Sequence, residues 1–258
     1  KLKYENGDKR YPSIFDYYAS KFEYSKMGEK QRDKSALEMI TDLVNRFIGI
    51  EIIDHGDDYV IIREMGDISS KEFDSSLRRI FLLILDLFEK TVELVEKNKI
   101  GDVSIGKTLH TMDTNVDRFI DYCCRINNKI KDSSFQKNKP IMFSTLYLLE
   151  LLGDEFKYIG RHLINAKKKV TDLLPFTELV KEHFESYYHF FYKFSKKSVI
   201  EFGELDTKVY KEHFKLKETK NSGLDKIRRH LMLISKFTFA LAELRIEGEL
   251  GKGNNILE

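Results

Sequence analysis

A chain of 258 residues can hold one large domain or two of ordinary size, and 41% hydrophobic residues are ample for a core. With 33% charged residues, three prolines and no tryptophan, the composition favours long helices over an all-β fold. Forty-four basic residues against forty-two acidic ones leave a formal charge of +2, too even a balance for a global field aimed at nucleic acid or a membrane.

Residues 1–34 are mixed and aromatic-rich, with Pro12 and Gly28 as breaks and a short helix read in SIFDYYASKF. The opening KLKYENGDKR has no signal-peptide pattern, and a first residue of Lys instead of Met leaves room for sequence upstream. From Ser35 to Phe47, Leu37, Ile40, Leu43, Val44 and Phe47 recur at helical spacing. The period then changes: IGIEIID and DYVIIREM are β-branched runs separated by HGD, which predicts a β-hairpin. Residues 1–67 thus read as a small α+β segment. GDISS supplies a turn and a helix N-cap at Ser69 or Ser70.

Beyond that point the pattern is helical throughout. One helix is expected from Ser70 to Asn98, its run IFLLILDLF too short and too interrupted by Asp86 to span a membrane. A second covers 103–131, where Leu109, Met112, Val116, Phe119, Cys123, Ile126 and Ile130 alternate at three and four as a bundle seam does. KDSSFQKNKP ends it, and Pro140 opens a third helix carrying Met142, Thr145, Leu149, Leu152, Phe156, Ile159 and Leu163. The run KKK at 167–169 suits a solvated helix end.

A similar set follows. A long helix after Leu174 and Pro175 carries Val180, Phe184, Tyr187, Phe191 and Phe194. A shorter one is expected at Glu204–Phe214, after Gly203. The last holds Leu224, Ile227, Leu231, Ile234, Thr238 and Leu241, before a glycine-rich tail, GELGKGNNILE, read as frayed. The expected fold is mainly α, two tandem three-helix bundles of roughly 90 residues each after the α+β segment. The expected domains are 1–67, 68–171 and 172–258.

Four carboxylates stand out. Asp113 and Asp117 lie four apart in MDTNVDRF, and Glu150 and Asp154 lie four apart in LYLLELLGDEF. Residues i and i+4 are stacked neighbours on a helix, so each pair can offer two oxygen donors to one hard cation. Gly153 beside them permits close approach of a second helix or a ligand. The alternative is ion pairing with Arg118, Arg125, Lys157 or Arg161. The seven histidines include no Glu-x-x-His and no H-x-x-x-H spacing, which argues against a di-iron or zinc-protease site, and His162 and His230 read as surface or capping residues. G-x-S-x-G and phosphate-cradling glycine loops are absent. YYHFFYKF reads as core packing, not base stacking. The adjacent Cys123 and Cys124 do not make a disulfide framework, which suits a reducing, cytoplasmic setting.

MDTNVDRF at 112–119 and ELLGD at 150–154 resemble the acidic motifs of the PhoU phosphate-uptake regulators, with Gly153 at that family's glycine. RFIGIEIIDHGDDYVIIREM followed by SSLRRIFLLILDLF is similar to the junction in archaeal PhoU-like proteins, so the resemblance covers about 45–258. Leu151 and Glu155 depart from the family's Arg and His. In the second repeat ELDTKVY keeps Asp206 but has Tyr210 for the second acid, and LMLISK has Met232 and Lys236 for the acidic pair.

The resemblance implies two tandem three-helix bundles and regulation without turnover. It implies damping of phosphate uptake through contact with a phosphate ABC transporter or its sensor kinase, membrane association only through such a partner, and self-association as a further option. It also implies a metal (iron, manganese, magnesium or zinc) at Asp113, Asp117, Glu150 and Asp154. Two alternatives stay open. One is a helical interaction module without metal or phosphate role. The other is the C-terminal part of a DNA-binding regulator whose AbrB-type domain lies outside this chain; the segment itself is not expected to bind nucleic acid.

Overall fold

The computed structural model describes residues 35–65, 68–131, 138–167, 169–216 and 222–251. The helix read in SIFDYYASKF lies outside them. The chain divides into two compact units, Lys1–Asp67 and Ile68–Glu258.

In the first unit, helix α1 (Ala36–Val44) opens on a capping box: the Ser35 hydroxyl accepts from the Glu38 N–H, and the Glu38 carboxylate accepts from the Ser35 N–H. Strands β1 (Ile50–His55) and β2 (Val60–Glu64) form the antiparallel hairpin, pairing Ile50 with Glu64 and His55 with Val60. The register shifts between Ile52 and Asp54, a bulge of the kind that bends one strand. Leu43, Val44 and Phe47 are buried, while Ile53, Tyr59 and Ile61 are exposed.

The second unit is helical in all its described elements: α2 (Ser70–Glu96), α3 (Ser104–Lys129), α4 (Lys139–Ile164), α5 (Leu174–Tyr192), α6 (Lys196–Lys215) and α7 (Ser222–Leu250), with a 3₁₀ turn at Thr171–Leu173. They form two successive sets of three. Helices α2, α3 and α4 pack in sequence, as do α5, α6 and α7, and the sets join along α4–α7 and α2–α5. Phe88 of α2 ties the join, with Phe156 of α4 at 4.8 Å edge-on and Phe184 of α5 at 5.4 Å. Phe81 likewise lies 5.1–6.0 Å from Phe184, Tyr187, Tyr188, Phe191 and Tyr192; Phe184, Tyr187 and Phe190 of this aromatic run are core, while Tyr192 is exposed.

Helix α6 is longer than predicted. Ser195 and Ser198 form a capping box that starts it at Lys196, and Gly203, read as a break, sits in its interior facing open space. There the glycine costs only its helix propensity, about 1 kcal/mol, which flanking turns absorb. Helix α7 runs on through Gly248 to Leu250, beyond the predicted frayed point. Its arginines tie down two helix ends: Arg228 donates to the Leu216 carbonyl at 2.6 Å and Arg245 to the Phe191 carbonyl at 2.9 Å. Among the described residues no helix is long and apolar enough to cross a membrane.

Candidate acidic centre between α3 and α4

The seam of α3 is broader than predicted. Leu109, Val116, Cys123, Ile126 and Ile130 are buried as expected and Met112 and Phe119 are only half-buried, while Ile105, Asp113, Ile120, Tyr122 and Asn127 join the buried band. Asp113 therefore lies within the seam, not on its shoulder, and its side chain is fully buried. On α4 the predicted stripe holds: Thr145, Leu149, Leu152, Phe156, Ile159 and Leu163 are all buried.

Gly153 faces Asp113 across the helix pair. A Cβ at position 153 would lie 3.4 Å from Asp113 Oδ1 and 3.6 Å from Val116 Cγ1. The missing side chain thus admits a carboxylate of the neighbouring helix. One turn further along α4, Lys157 reaches back: its Nζ is 2.7 Å from Asp113 Oδ2 and 2.5 Å from Asp154 Oδ1. The approach to Asp113 is close but poorly directed for a hydrogen bond, and Asp113 Oδ1 has no hydrogen-bond partner. Arg161, an alternative partner by sequence, instead lies over the Tyr158 ring at 5.2 Å.

Of the four predicted acids, Asp113 and Asp154 meet at Lys157, Asp117 is half-buried one turn along α3, and Glu150 is exposed at the edge of the cluster. One ammonium does not neutralise them all. Burial and the neighbouring Asp113 push the Asp117 carboxyl up to about 7, with Glu150 and Asp154 adding to the effect and Lys157 opposing it. Asp113 is also raised: burial outweighs the pull of Lys157. The same four-residue spacing adds Asp121, raised by burial and held back by Arg125. Glu150 is raised by partial burial and then by the charges of Asp121 and Asp154. Asp121 was legible from its spacing after Asp117 and was missed.

The fit to a resident metal is poor as arranged. The ammonium occupies the point between Asp113 and Asp154 that a cation would take, and among the described residues no group of three His, Cys, Asp or Glu side chains converges on a common point.

Two further polar connections were not predicted. His230 of α7 pairs with Glu155 of α4 at 2.5 Å and stacks on Tyr158 and His162, so it is a tie between the two sets instead of a surface residue. In the second set, the buried Ser235 hydroxyl lies 3.0 Å from His183 Nδ1, and His183 Nε2 lies 3.4 Å from Asp206 Oδ1. The His183 ring stacks on Phe202, and burial lowers its pKa to about 4, so it is neutral at physiological pH. Ser235 is only 1% exposed, which closes its hydroxyl to a substrate; its contact with His183 joins α7 to α5, while His183 Nε2 and Asp206 Oδ1 have no hydrogen-bond partner. Cys123 and Cys124 are both free thiols, and burial raises the pKa of each, which makes them poor nucleophiles.

No protein-family model, no curated protein and no solved structure matches the chain.

Proposed function

We propose that this chain is a cytoplasmic, PhoU-like regulator of phosphate uptake and phosphate signalling that acts by protein–protein contact and turns over no substrate. The observation that carries the reading is the meeting of MDTNVD and ELLGD across the α3–α4 pair, within two successive three-helix sets. In this reading Lys157 supplies the positive charge that a metal would otherwise supply. Iron, manganese, magnesium or zinc would bind Asp113, Asp117, Glu150 and Asp154 only with Lys157 displaced.

Contact with a partner is supported by a cleft of 340 Å³ between α4 and α7, where Phe143 and Tyr147 are 54% and 53% exposed. Exposed aromatics beside an apolar cleft are typical anchors of protein interfaces. The test is phosphate uptake in the source organism with the gene deleted, together with co-purification of the phosphate transporter's ATPase or the sensor kinase. Deletion is expected to raise uptake in phosphate-replete cells, and a Phe143→Asp/Tyr147→Asp variant to fold normally yet fail both rescue and co-purification. Unchanged uptake on deletion would refute the reading.

The second reading is a helical interaction module without metal or phosphate role. The Lys157 bridge favours it, because Asp113 and Asp154 already share an ammonium where a metal would sit. It predicts a partner that depends on Phe143 and Tyr147 while phosphate uptake stays unchanged.

A further inference from the structure

Two clefts flank α6, and they are opposite in charge. The α5–α6 cleft, 620 Å³, is lined by Glu182, Glu185, Glu201 and Glu204 against a single Lys208. The α6–α7 cleft, 490 Å³, is lined by Lys226, Arg228, Arg229 and Lys236, with Asp225 the one carboxylate among its lining residues.

The spacing of those cations specifies what they can hold. Arg229 and Lys236 are seven residues apart on one face of α7, hence two turns, or about 10 Å along the axis. Lys226 lies one turn before Arg229. A single phosphate engages only part of such a row at a time, whereas a chain of phosphoryl groups lies along more of it. Arg228 is already positioned, since its Nη1 donates to the Leu216 carbonyl at 2.6 Å and its Nη2 is 3.9 Å from Asp225. Across the cleft, the His213 Nδ1 of α6 is buried and has no hydrogen-bond partner; in the tautomer that carries its proton on Nδ1, the ring would donate to an anionic oxygen. Met232 and Leu233 give the cleft an apolar floor between the charges, and the volume falls within the range of small-molecule sites.

We infer that the α6–α7 cleft binds a small molecule carrying two or three phosphoryl groups in a chain, with Arg229 and Lys236 as its main phosphate ligands and Arg228 and His213 completing the shell. The inference stands independently of the phosphate-regulator reading, and its test involves neither uptake nor a partner protein.

The test is isothermal titration of the full chain with ATP, inorganic tripolyphosphate, AMP and inorganic phosphate at near-physiological salt. ATP or tripolyphosphate is expected to bind with a Kd on the order of micromolar, and AMP and phosphate about tenfold more weakly or worse. Tighter binding of ATP would identify a nucleotide, with its base over Met232 and Leu233; equal binding would identify the phosphoryl chain alone. Arg229→Glu and Lys236→Glu should each weaken binding about tenfold or more, and Lys208→Glu in the opposite cleft should not. Circular dichroism melts confirm that each variant is folded. The inference is overturned by absence of binding at about 1 mM ligand, by charge reversals that leave the affinity unchanged, or by AMP binding as tightly as ATP. It is equally overturned if a single-stranded RNA binds the cleft far more tightly than either polyphosphate.

Discussion

Asp117→Asn should stabilise the protein at neutral and alkaline pH and leave it unchanged in acid. The Asp117 carboxyl titrates near 7 in the folded chain against an ordinary value of 3.8. Because the folded-state pKa is raised, the folded protein holds this proton more tightly than the unfolded chain does. Stability is therefore lost as pH rises from about 4 to about 7 and stays lost above it. A shift of about three units corresponds to about 4 kcal/mol as an upper limit. Water at the half-exposed side of Asp117 and relaxation of its neighbours reduce the figure to about 2 kcal/mol. Asparagine keeps the shape and removes the charge, so the variant should melt about 4–8 °C above wild type at pH 8 for a helical unit of this size. At pH 4 the two curves should converge. Thermal melts followed by circular dichroism at pH 4, 6 and 8 measure this directly, and carboxylates remote from the α3–α4 cluster cancel in the difference. A variant no more stable than wild type at pH 8, or a gap that does not close in acid, would refute the account of Asp117 as a dehydrated carboxyl beside like charges.

Lys157→Met leaves the fully buried Asp113 without its counter-charge. It should cost about 3 kcal/mol in urea denaturation at pH 8, less at pH 4, with millimolar Mn²⁺ or Mg²⁺ restoring part of the loss. The double change Asp113→Leu/Lys157→Met, which removes both charges, should instead be neutral or stabilising by about 1–3 kcal/mol in the same assay. Gly153→Ala and Gly160→Ala should separate. A Cβ at 153 meets its neighbours at ordinary contact distance and gains up to about 1 kcal/mol of helix propensity. At 160 it would lie 2.8 Å from Cδ1 of the fully buried Leu109, costing about 1–2 kcal/mol in melting or denaturant midpoints.

Helical periodicity made most of the fold legible. The stripes of α4 and α7 are buried at every predicted position but Met142, because each of these helices keeps a regular apolar spacing through its core. Periodicity was less reliable on α3. That helix packs against both α2 and α4, and its buried band takes in Asp113 and Asn127, which a hydrophobic pattern discounts. The start of α6 was misplaced because Gly203 was weighed as a helix break, while the cap directly before Lys196, Ser195 with Ser198, went unread. Spacing could bring the acids of each helix together, yet it could not say which cation answered them. Arg118, Arg125, Lys157 and Arg161 were equivalent by sequence distance, and the choice of Lys157 depends on the relative rotation of two helices. The Ser235–His183 contact and the Glu155–His230 pair join residues 52 and 75 positions apart, separations no local pattern encodes.

The α3–α4 centre explains why a helix would keep a carboxylate in its seam. A buried ion pair is weak evidence for stability, and its better-attested use is to fix register. Here the register argument is concrete. Asp113 needs a neighbour with little side chain and an ammonium within reach, and α4 provides these four residues apart as Gly153 and Lys157. Slide α4 by one turn in one direction and Leu149 takes the place of Gly153, pressing an apolar side chain onto an unpartnered carboxylate. Slide it the other way and the long Lys157 side chain falls where there is room for little more than a methyl group. Apolar ridges such as Leu149, Leu152 and Phe156 tolerate a one-turn slip far better, since leucine and phenylalanine are interchangeable as bulk. The glycine that weakens the helix, and the charge that its core must shelter, together exclude the alternatives that the hydrophobic seam would accept.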